Sequence, residues 1–249
     1  MQNEQETLIR FDKLSKSFGS KLILDELSFE VKKGETLVIM GPSGTGKSVT
    51  LRHAIGLMQP DSGRVEVAGH DLATISRKDL AALRRDVGYL FQEGALINWM
   101  SVGDNVALPL RENTDLDETE IRSRVEQKLE LVHLPGTWEQ LPSDISGGMR
   151  KRVGLARALI TDPKIMFYDE PNAGLDPEIS MSVNHLMREL ADTLGITSIV
   201  VTHLLSCVRV VADRVIMLEA GKIVTDTTPA EFIAAKHPRV KQFLGQFAD

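Results

Sequence analysis

Thr36-Leu37-Val38-Ile39-Met40 is an apolar, β-branched run that meets Gly41-Pro42-Ser43-Gly44-Thr45-Gly46-Lys47-Ser48, and no other stretch restricts the fold as strongly. The run reads as a buried strand, and Lys47 to Leu57 reads as a helix ended near Gly56 and Pro60. Strand, glycine-rich loop and helix in that order form a cradle for phosphate. The glycines let successive backbone N–H groups turn toward one anion, and the helix N-terminus adds a partial positive charge. Lys47 would reach the β and γ phosphates of a nucleotide, and Ser48 would offer a hydroxyl to Mg²⁺. The bland alternative is an ordinary glycine turn, which chance produces in a chain of this length about once in a hundred. The flanking strand and helix lower that further.

Ile165-Met166-Phe167-Tyr168-Asp169-Glu170 sets two carboxylates just past another buried strand, where the carboxyl edge of an open parallel sheet places ligands. Alone, such a pair is usually a solvated strand end. Beside a phosphate loop, Asp169 is expected to hold Mg²⁺ through its water shell, because this ion keeps several waters and uses few protein carboxylates. Glu170 points elsewhere and is expected to polarise an attacking water, worth about 10²–10⁴ in rate. The two motifs together imply a P-loop NTPase.

Strand-like and helix-like patterns alternate along the chain without a repeat or linker, as a parallel α/β fold requires. Leu8 to Phe11, Ser28 to Val31 and Val65 to Val67 read as short strands of a flanking antiparallel sheet. Gly94 to Ile145 changes character: Asp117 with Glu120 offers a helix cap, and Ile121, Val125, Leu129 and Val132 recur at helical spacing. Gly148 to Ile160 reads as a helix, Ile179 to Leu194 as another closed by Gly195, and Ser198 to Thr202 as a strand. The expectation is one α/β domain over residues 1–249, with a nucleotide-binding core at 1–93 and 163–225 that includes the antiparallel β subdomain. An inserted helical subdomain takes 94–162, and a C-terminal tail takes 226–249.

Ile145-Ser146-Gly147-Gly148-Met149 opens a helix about two dozen residues ahead of Asp169, and it resembles the LSGGQ signature of ABC ATPases. A serine and two glycines at a helix start make a second anion site, and two half-sites on one chain imply pairing with another chain. Further family elements stand in order. Phe18 matches the aromatic that stacks on adenine, Gln92 the glutamine of the Q-loop, Gly174-Leu175-Asp176 the D-loop, and His203 the switch histidine. The resemblance implies an α/β P-loop NTPase of ABC type that forms a head-to-tail homodimer around two ATP. Phe18, Gly41, Pro42, Ser43, Gly44, Thr45, Gly46, Lys47, Ser48 and Val49 would bind ATP in one subunit, with Ser146, Gly147, Gly148 and Met149 completing the site from the other. It further implies catalysis by Glu170, His203, Gln92 and Lys47, Mg²⁺ at Ser48, Gln92 and Asp169, and Asp176 in the D-loop. The chain departs from the family pattern at Val49, Asn172 and Leu204, where Thr, Thr or Ser, and an acidic residue are common.

Phe91-Gln92-Glu93-Gly94-Ala95-Leu96, Pro109-Leu110-Arg111-Glu112, Ser146 to Arg152 and Pro238 to Leu244 resemble the Mla, or toluene-tolerance, lipid-transport subfamily. That resemblance implies an integral membrane permease as partner, an MCE-domain lipid-binding protein, a small STAS-domain protein, and phospholipid as cargo. Other readings are an amino-acid or ion importer and a non-transport scaffold ATPase. Ala95, Leu96, Ile97, Trp99 and Met100 form an apolar run where the family resemblance implies a groove for a permease helix, and a buried subdomain core is the other reading of the same run. The tail Phe232 to Phe247 has the pattern to pack across a partner subunit or against a regulator, with Lys236, His237, Arg239 and Lys241 solvated. A net charge of -6 argues against nucleic acid as a partner. One cysteine, Cys207, excludes an intrachain disulfide, and the start Met1 to Arg10 lacks an export signal. The expected location is cytoplasmic, peripheral on the inner face of the plasma membrane.

Overall fold

The computed structural model describes residues 6–92 and 94–245. Glu93, within the Q-loop resemblance, and Phe247, the end of the expected tail contact, lie outside the described residues.

A six-stranded sheet carries the phosphate loop. It comprises β3 (Thr36–Met40), β6 (Val87–Leu90), β7 (Ile165–Asp169), β8 (Thr197–Val201), β9 (Arg214–Glu219) and β10 (Lys222–Thr227), in the order β10-β9-β3-β8-β7-β6. All its neighbours are parallel except β10, which pairs antiparallel with β9 along one edge. Because side chains alternate across a strand, each strand feeds two cores. Leu37, Ile39, Phe167, Ile199 and Ile216 enter one, while Val38, Met40, Met166, Tyr168, Val200 and Val215 enter the other.

The first core is closed by α1 (Lys47–Ala54) and by a second sheet of β1 (Thr7–Phe18), β2 (Lys21–Lys32), β4 (Ser62–Val67) and β5 (His70–Asp71), all antiparallel. These strands run well past the short segments read from sequence. Their pairing shifts register between Phe11 and Leu14, near Lys13, and Glu26 likewise has positive φ, so bulges break the alternation a pattern search relies on. A two-residue turn with Gly19 at φ +59° joins Phe18 to Lys21 and carries Phe18 to the hairpin tip.

The second core lies under helices. After α1 come α2 (Arg77–Arg85), which packs on the first core through Leu83, and then α3 (Val102–Asn113), α4 (Glu118–Leu131), α5 (Gly147–Leu159), α6 (Pro177–Leu194) and α7 (Leu205–Val211), which line the second. Ser101, Asp117, Ser146 and Asp176 cap α3 to α6 in turn, each accepting a backbone N–H three residues on. Gly195, at φ +63°, ends α6. Buried Asn105 of α3 donates to the carbonyls of Ile97, Met100 and Ser101 and accepts from Ile97 N–H at 2.7 Å, which anchors the segment following Gln92.

The tail forms α8 (Pro229–Ile233) and α9 (Pro238–Leu244) and turns Phe232, Val240 and Phe243 into the core of its own chain. What it leaves outward is polar: Lys236, His237, Arg239 and Lys241 are exposed. Phe232, Val240 and Phe243 are therefore held by their own chain, and the solvated face expected of the four basic residues is what the tail presents outward.

Candidate active site

The loop after β3 approaches its surroundings too closely for side chains. A Cβ on Gly41 would stand 2.2 Å from the Leu218 carbonyl oxygen, and one on Gly46 would stand 2.6 Å from Leu24. Gly46, at φ +99°, also caps α1, so the loop runs directly into the helix N-terminus, whose first N–H groups have no partner within the helix itself. Lys47 is folded back onto the loop. Its Nζ donates to the carbonyls of Gly41 at 2.8 Å and Pro42 at 3.1 Å and lies 3.9 Å from Glu170 Oε1. Burial lowers the pKa of this amine, and the carboxylates of Glu170 and Asp169 pull it back up.

Asp169 ends β7 almost fully buried. Its Oδ1 accepts from Ser48 Oγ at 2.7 Å and its Oδ2 accepts from Tyr89 OH at 3.1 Å. Glu170, next in sequence, has φ +49°, a left-handed conformation that costs a non-glycine residue about 1–2 kcal/mol. Its N–H donates to Val201 O at 2.9 Å, and its Oε2 stands 2.9 Å from His203 Nδ1. The strained turn reverses the direction of the second carboxylate, so Asp169 faces Ser48 while Glu170 faces Lys47 and His203.

A cavity of about 510 Å³ opens over these groups, bordered by Phe18, Ser43, Gly44, Lys47, Ser48, Val49, Gln92, Glu170 and His203. Lys21 and Ile23 share its wall, and nothing in their sequence context points to a site. Gly41, Pro42 and Thr45 form the loop beneath it, Thr45 Oγ1 donating to Pro42 O at 2.9 Å. Tyr89 was also not legible in sequence, since one aromatic in a short strand carries no chemical signal. Asn172 is buried and donates to the Ser180 carbonyl at 2.9 Å, and Leu204 N–H donates to Thr202 Oγ1 at 3.1 Å.

Ser146, Gly147, Gly148, Met149 and Asp176 do not border this cavity. Ser146 is exposed at the start of α5, where its hydroxyl accepts from Met149 N–H at 3.2 Å and keeps its own hydrogen for a ligand. Gly148 sits against α6, where an added Cβ would stand 2.4 Å from Ile179 Cγ2, so the starts of α5 and α6 form one surface. Gly147 borders a separate cavity of about 460 Å³ with Gly174 and Leu175.

The donor set fits a magnesium nucleotide. A hydroxyl and a carboxylate oxygen already meet at 2.7 Å beside a buried lysine. Among the described residues no three His, Cys, Asp or Glu side chains form a cage, and Mg²⁺ binds through a few oxygens while retaining water. Among the described residues no helix is long and apolar enough to cross a membrane.

Comparison with known proteins agrees with this geometry. Residues 24–173 match the ABC transporter family. The chain is 43% identical over 231 residues to the "Probable ribonucleotide transport ATP-binding protein mkl" of Mycobacterium leprae, covering 93% of this chain and 67% of that protein. It thus spans about two thirds of that longer relative. It is 40% identical over 240 residues to the intermembrane phospholipid transport system ATP-binding protein MlaF of Haemophilus influenzae, covering 96% of this chain and 90% of that one. Among solved structures, the post-hydrolysis dimer of the ATP-binding cassette MJ0796 with ADP and Pi superposes with a TM-score of 0.81. Identity there is 30%, with 89% of this chain and 99% of that chain covered.

Proposed function

The chain belongs to the ABC transporter family, and from that premise we propose that it is the ATP-hydrolysing subunit of an intermembrane phospholipid transporter. The observation that carries the mechanism is the separation of its two phosphate grips. Lys47 and Ser48 border the nucleotide cavity, whereas Ser146 is exposed and does not border it. Each chain brings one grip to a given nucleotide, and a head-to-tail homodimer brings both.

In that dimer the loop N–H groups and Lys47 bind the ATP phosphates, and Phe18 at the hairpin tip offers its ring to adenine. Ser48, Asp169 and Gln92 would hold Mg²⁺, which when bound supplies charge neutralisation at the phosphate oxygens. Glu170 accepts a proton from the attacking water, and His203 orients it through the 2.9 Å contact. Ser146 and the helix start behind it, from the second copy, stabilise charge on the transferring phosphoryl. Asp176, which caps α6 next to Gly148, lies on the surface the second copy would meet.

A further groove, of about 530 Å³, suits a permease segment. It lies between the core and the helical region, bordered by Tyr89, Phe91, Ala95, Leu108, Pro109 and Arg157. The apolar run after Gln92 is spread more widely than its sequence suggests: Ala95 borders this groove, Leu96 borders the cavity at Gly147, and Trp99 is 84% exposed. The complex in this reading sits on the cytoplasmic face of the inner membrane and includes an MCE-domain lipid-binding protein and a small STAS-domain protein. The test is mass spectrometry of proteins and lipids retained by the complex purified in detergent. A polytopic membrane protein with bound phospholipid is expected, and soluble partners alone would sink the transport reading. The mycobacterial relative favours a second cargo, so recovery of a ribonucleotide without phospholipid would move the assignment.

A further inference from the structure

Resting on the reading that the groove receives a membrane partner, we propose that Tyr89 is a positioning residue that ties that groove to the magnesium-holding carboxylate of Asp169. Its hydroxyl donates to Asp169 Oδ2 at 3.1 Å while Ser48 Oγ donates to Oδ1 at 2.7 Å. With both oxygens engaged, the carboxylate plane is fixed along with its position. Rotation of the group would break one hydrogen bond or the other. An oxygen that holds a metal through water depends on such orientation, because it must meet a water whose place is already set by the octahedral shell.

The ring behind that hydroxyl belongs to the groove. Tyr89 leaves β6 beside Phe91, their centroids 4.3 Å apart and their planes tilted by 44°, and both rings border the cavity of about 530 Å³. On another side Tyr89 borders a smaller hollow of about 220 Å³ with Ile55 and Leu57. Toward the core it packs against the apolar cluster that includes Phe167, at 6.5 Å between ring centroids. The side chain is therefore bordered by open space on two sides and has its polar anchor at the tip. Tyrosine is rigid beyond its two side-chain torsions, so contact on the ring is delivered at the hydroxyl without loss along a flexible stem. A segment seated in the groove meets Phe91 and Tyr89, and its arrival reaches Asp169 through one side chain. Gln92 is the other route from this strand to the nucleotide, by backbone continuity, and the Tyr89 route is independent of it.

Substituting Tyr89→Phe removes the hydroxyl and keeps the ring. The measurement is the Mg²⁺ dependence of binding of a fluorescent, non-hydrolysable ATP analogue, on the isolated chain and on the detergent-solubilised complex with its membrane partner. The half-saturating Mg²⁺ concentration is expected to rise about tenfold in the variant, the scale on which partners of metal ligands act. Binding of the analogue in EDTA is expected to match wild type, which a general loss of structure would not allow. Assembly with the membrane partner should shift the Mg²⁺ curve of wild type and leave that of Tyr89→Phe in place. Phe91→Ala, which opens the groove but keeps the hydroxyl, should retain the wild-type curve in the isolated chain and lose the partner-induced shift. Identical Mg²⁺ curves for wild type and Tyr89→Phe would overturn the proposal, as would equal weakening in EDTA. A wild-type chain that binds no analogue with Mg²⁺ would overturn the nucleotide-site reading itself, a separate failure.

Discussion

Replacing Glu170 by glutamine isolates one chemical property. The amide has the carboxylate's shape, so it can still meet His203 Nδ1, 2.9 Å away in the native chain. It cannot accept a proton from water at neutral pH. Loss of a general base is worth about 10²–10⁴ in rate, or about 2.7–5.5 kcal/mol of barrier. Binding should move the other way. Glu170 Oε1 lies 3.9 Å from Lys47 Nζ, and its charge both competes for that amine and repels an incoming γ-phosphate. The variant should bind ATP at least as well as wild type, hydrolyse it at least about a hundredfold more slowly, and accumulate as an ATP-bound dimer. Rapid-quench single-turnover assays with radiolabelled ATP give the rate, and size-exclusion chromatography with and without ATP gives the dimer. Single-turnover hydrolysis within about tenfold of wild type would refute the assignment of Glu170 as base. Loss of ATP binding would refute the electrostatic argument.

Ser146→Arg should abolish turnover while leaving ATP affinity of the monomer unchanged in equilibrium binding, because the exposed serine does not border its own chain's cavity; equal loss of monomer binding would show that it acts within one chain. Burial pushes the Cys207 thiol up to about 12, so it should resist a disulfide reagent at pH 8 and react on unfolding in guanidinium. The sign is that the denatured chain ionises first above the thiol's usual 9, so this group's contribution to stability falls as pH rises from there toward 12. Phe243→Ala should cost about 3–5 kcal/mol in a denaturant titration if α9 packs on its own core, and an unchanged midpoint would show that the tail packs elsewhere.

The parallel sheet was legible because its strands are buried on both faces, so Thr36–Met40 and Ile165–Asp169 read as continuous apolar runs with a glycine loop or an acidic pair directly behind. Helices were legible from caps, as at Asp117 and Gly195. The antiparallel sheet was read too short because its outer positions are charged and its bulges reset the alternation. At the site, sequence order could gather Phe18, Gln92, Glu170 and His203 through family likeness alone, since their closeness depends on which strands are neighbours. Tyr89 lay beyond that method: its hydroxyl's partner, Asp169, is 80 residues away in the chain and is reached only because β6 pairs with β7 in this register. The left-handed turn at Glu170 was equally silent, because glutamate has no composition that announces positive φ.

The separation of the two grips also sets how strong each should be. Moving a pair of subunits from 1:99 to 99:1 closed requires about 10⁴-fold preferential binding, or about 5.5 kcal/mol, and two equal sites reduce that to about 2.7 kcal/mol each. A hydrogen bond to a charged group contributes about 1.5–3 kcal/mol. One or two new contacts per γ-phosphate therefore suffice, and the start of α5 can offer about that many: the Ser146 hydroxyl hydrogen, and the first N–H groups of a helix, which have no partner within the helix itself. A stronger grip would be a defect. Hydrolysis can release only what the γ-phosphate was holding, so contacts that remained on ADP would keep the dimer shut and stall the cycle. In the proposed dimer Lys47 and the loop, which would also hold the β-phosphate, belong on the subunit that retains nucleotide, while the exposed serine belongs on the one that lets go. Dividing the two grips between subunits in this way would make a single phosphate decide between open and closed.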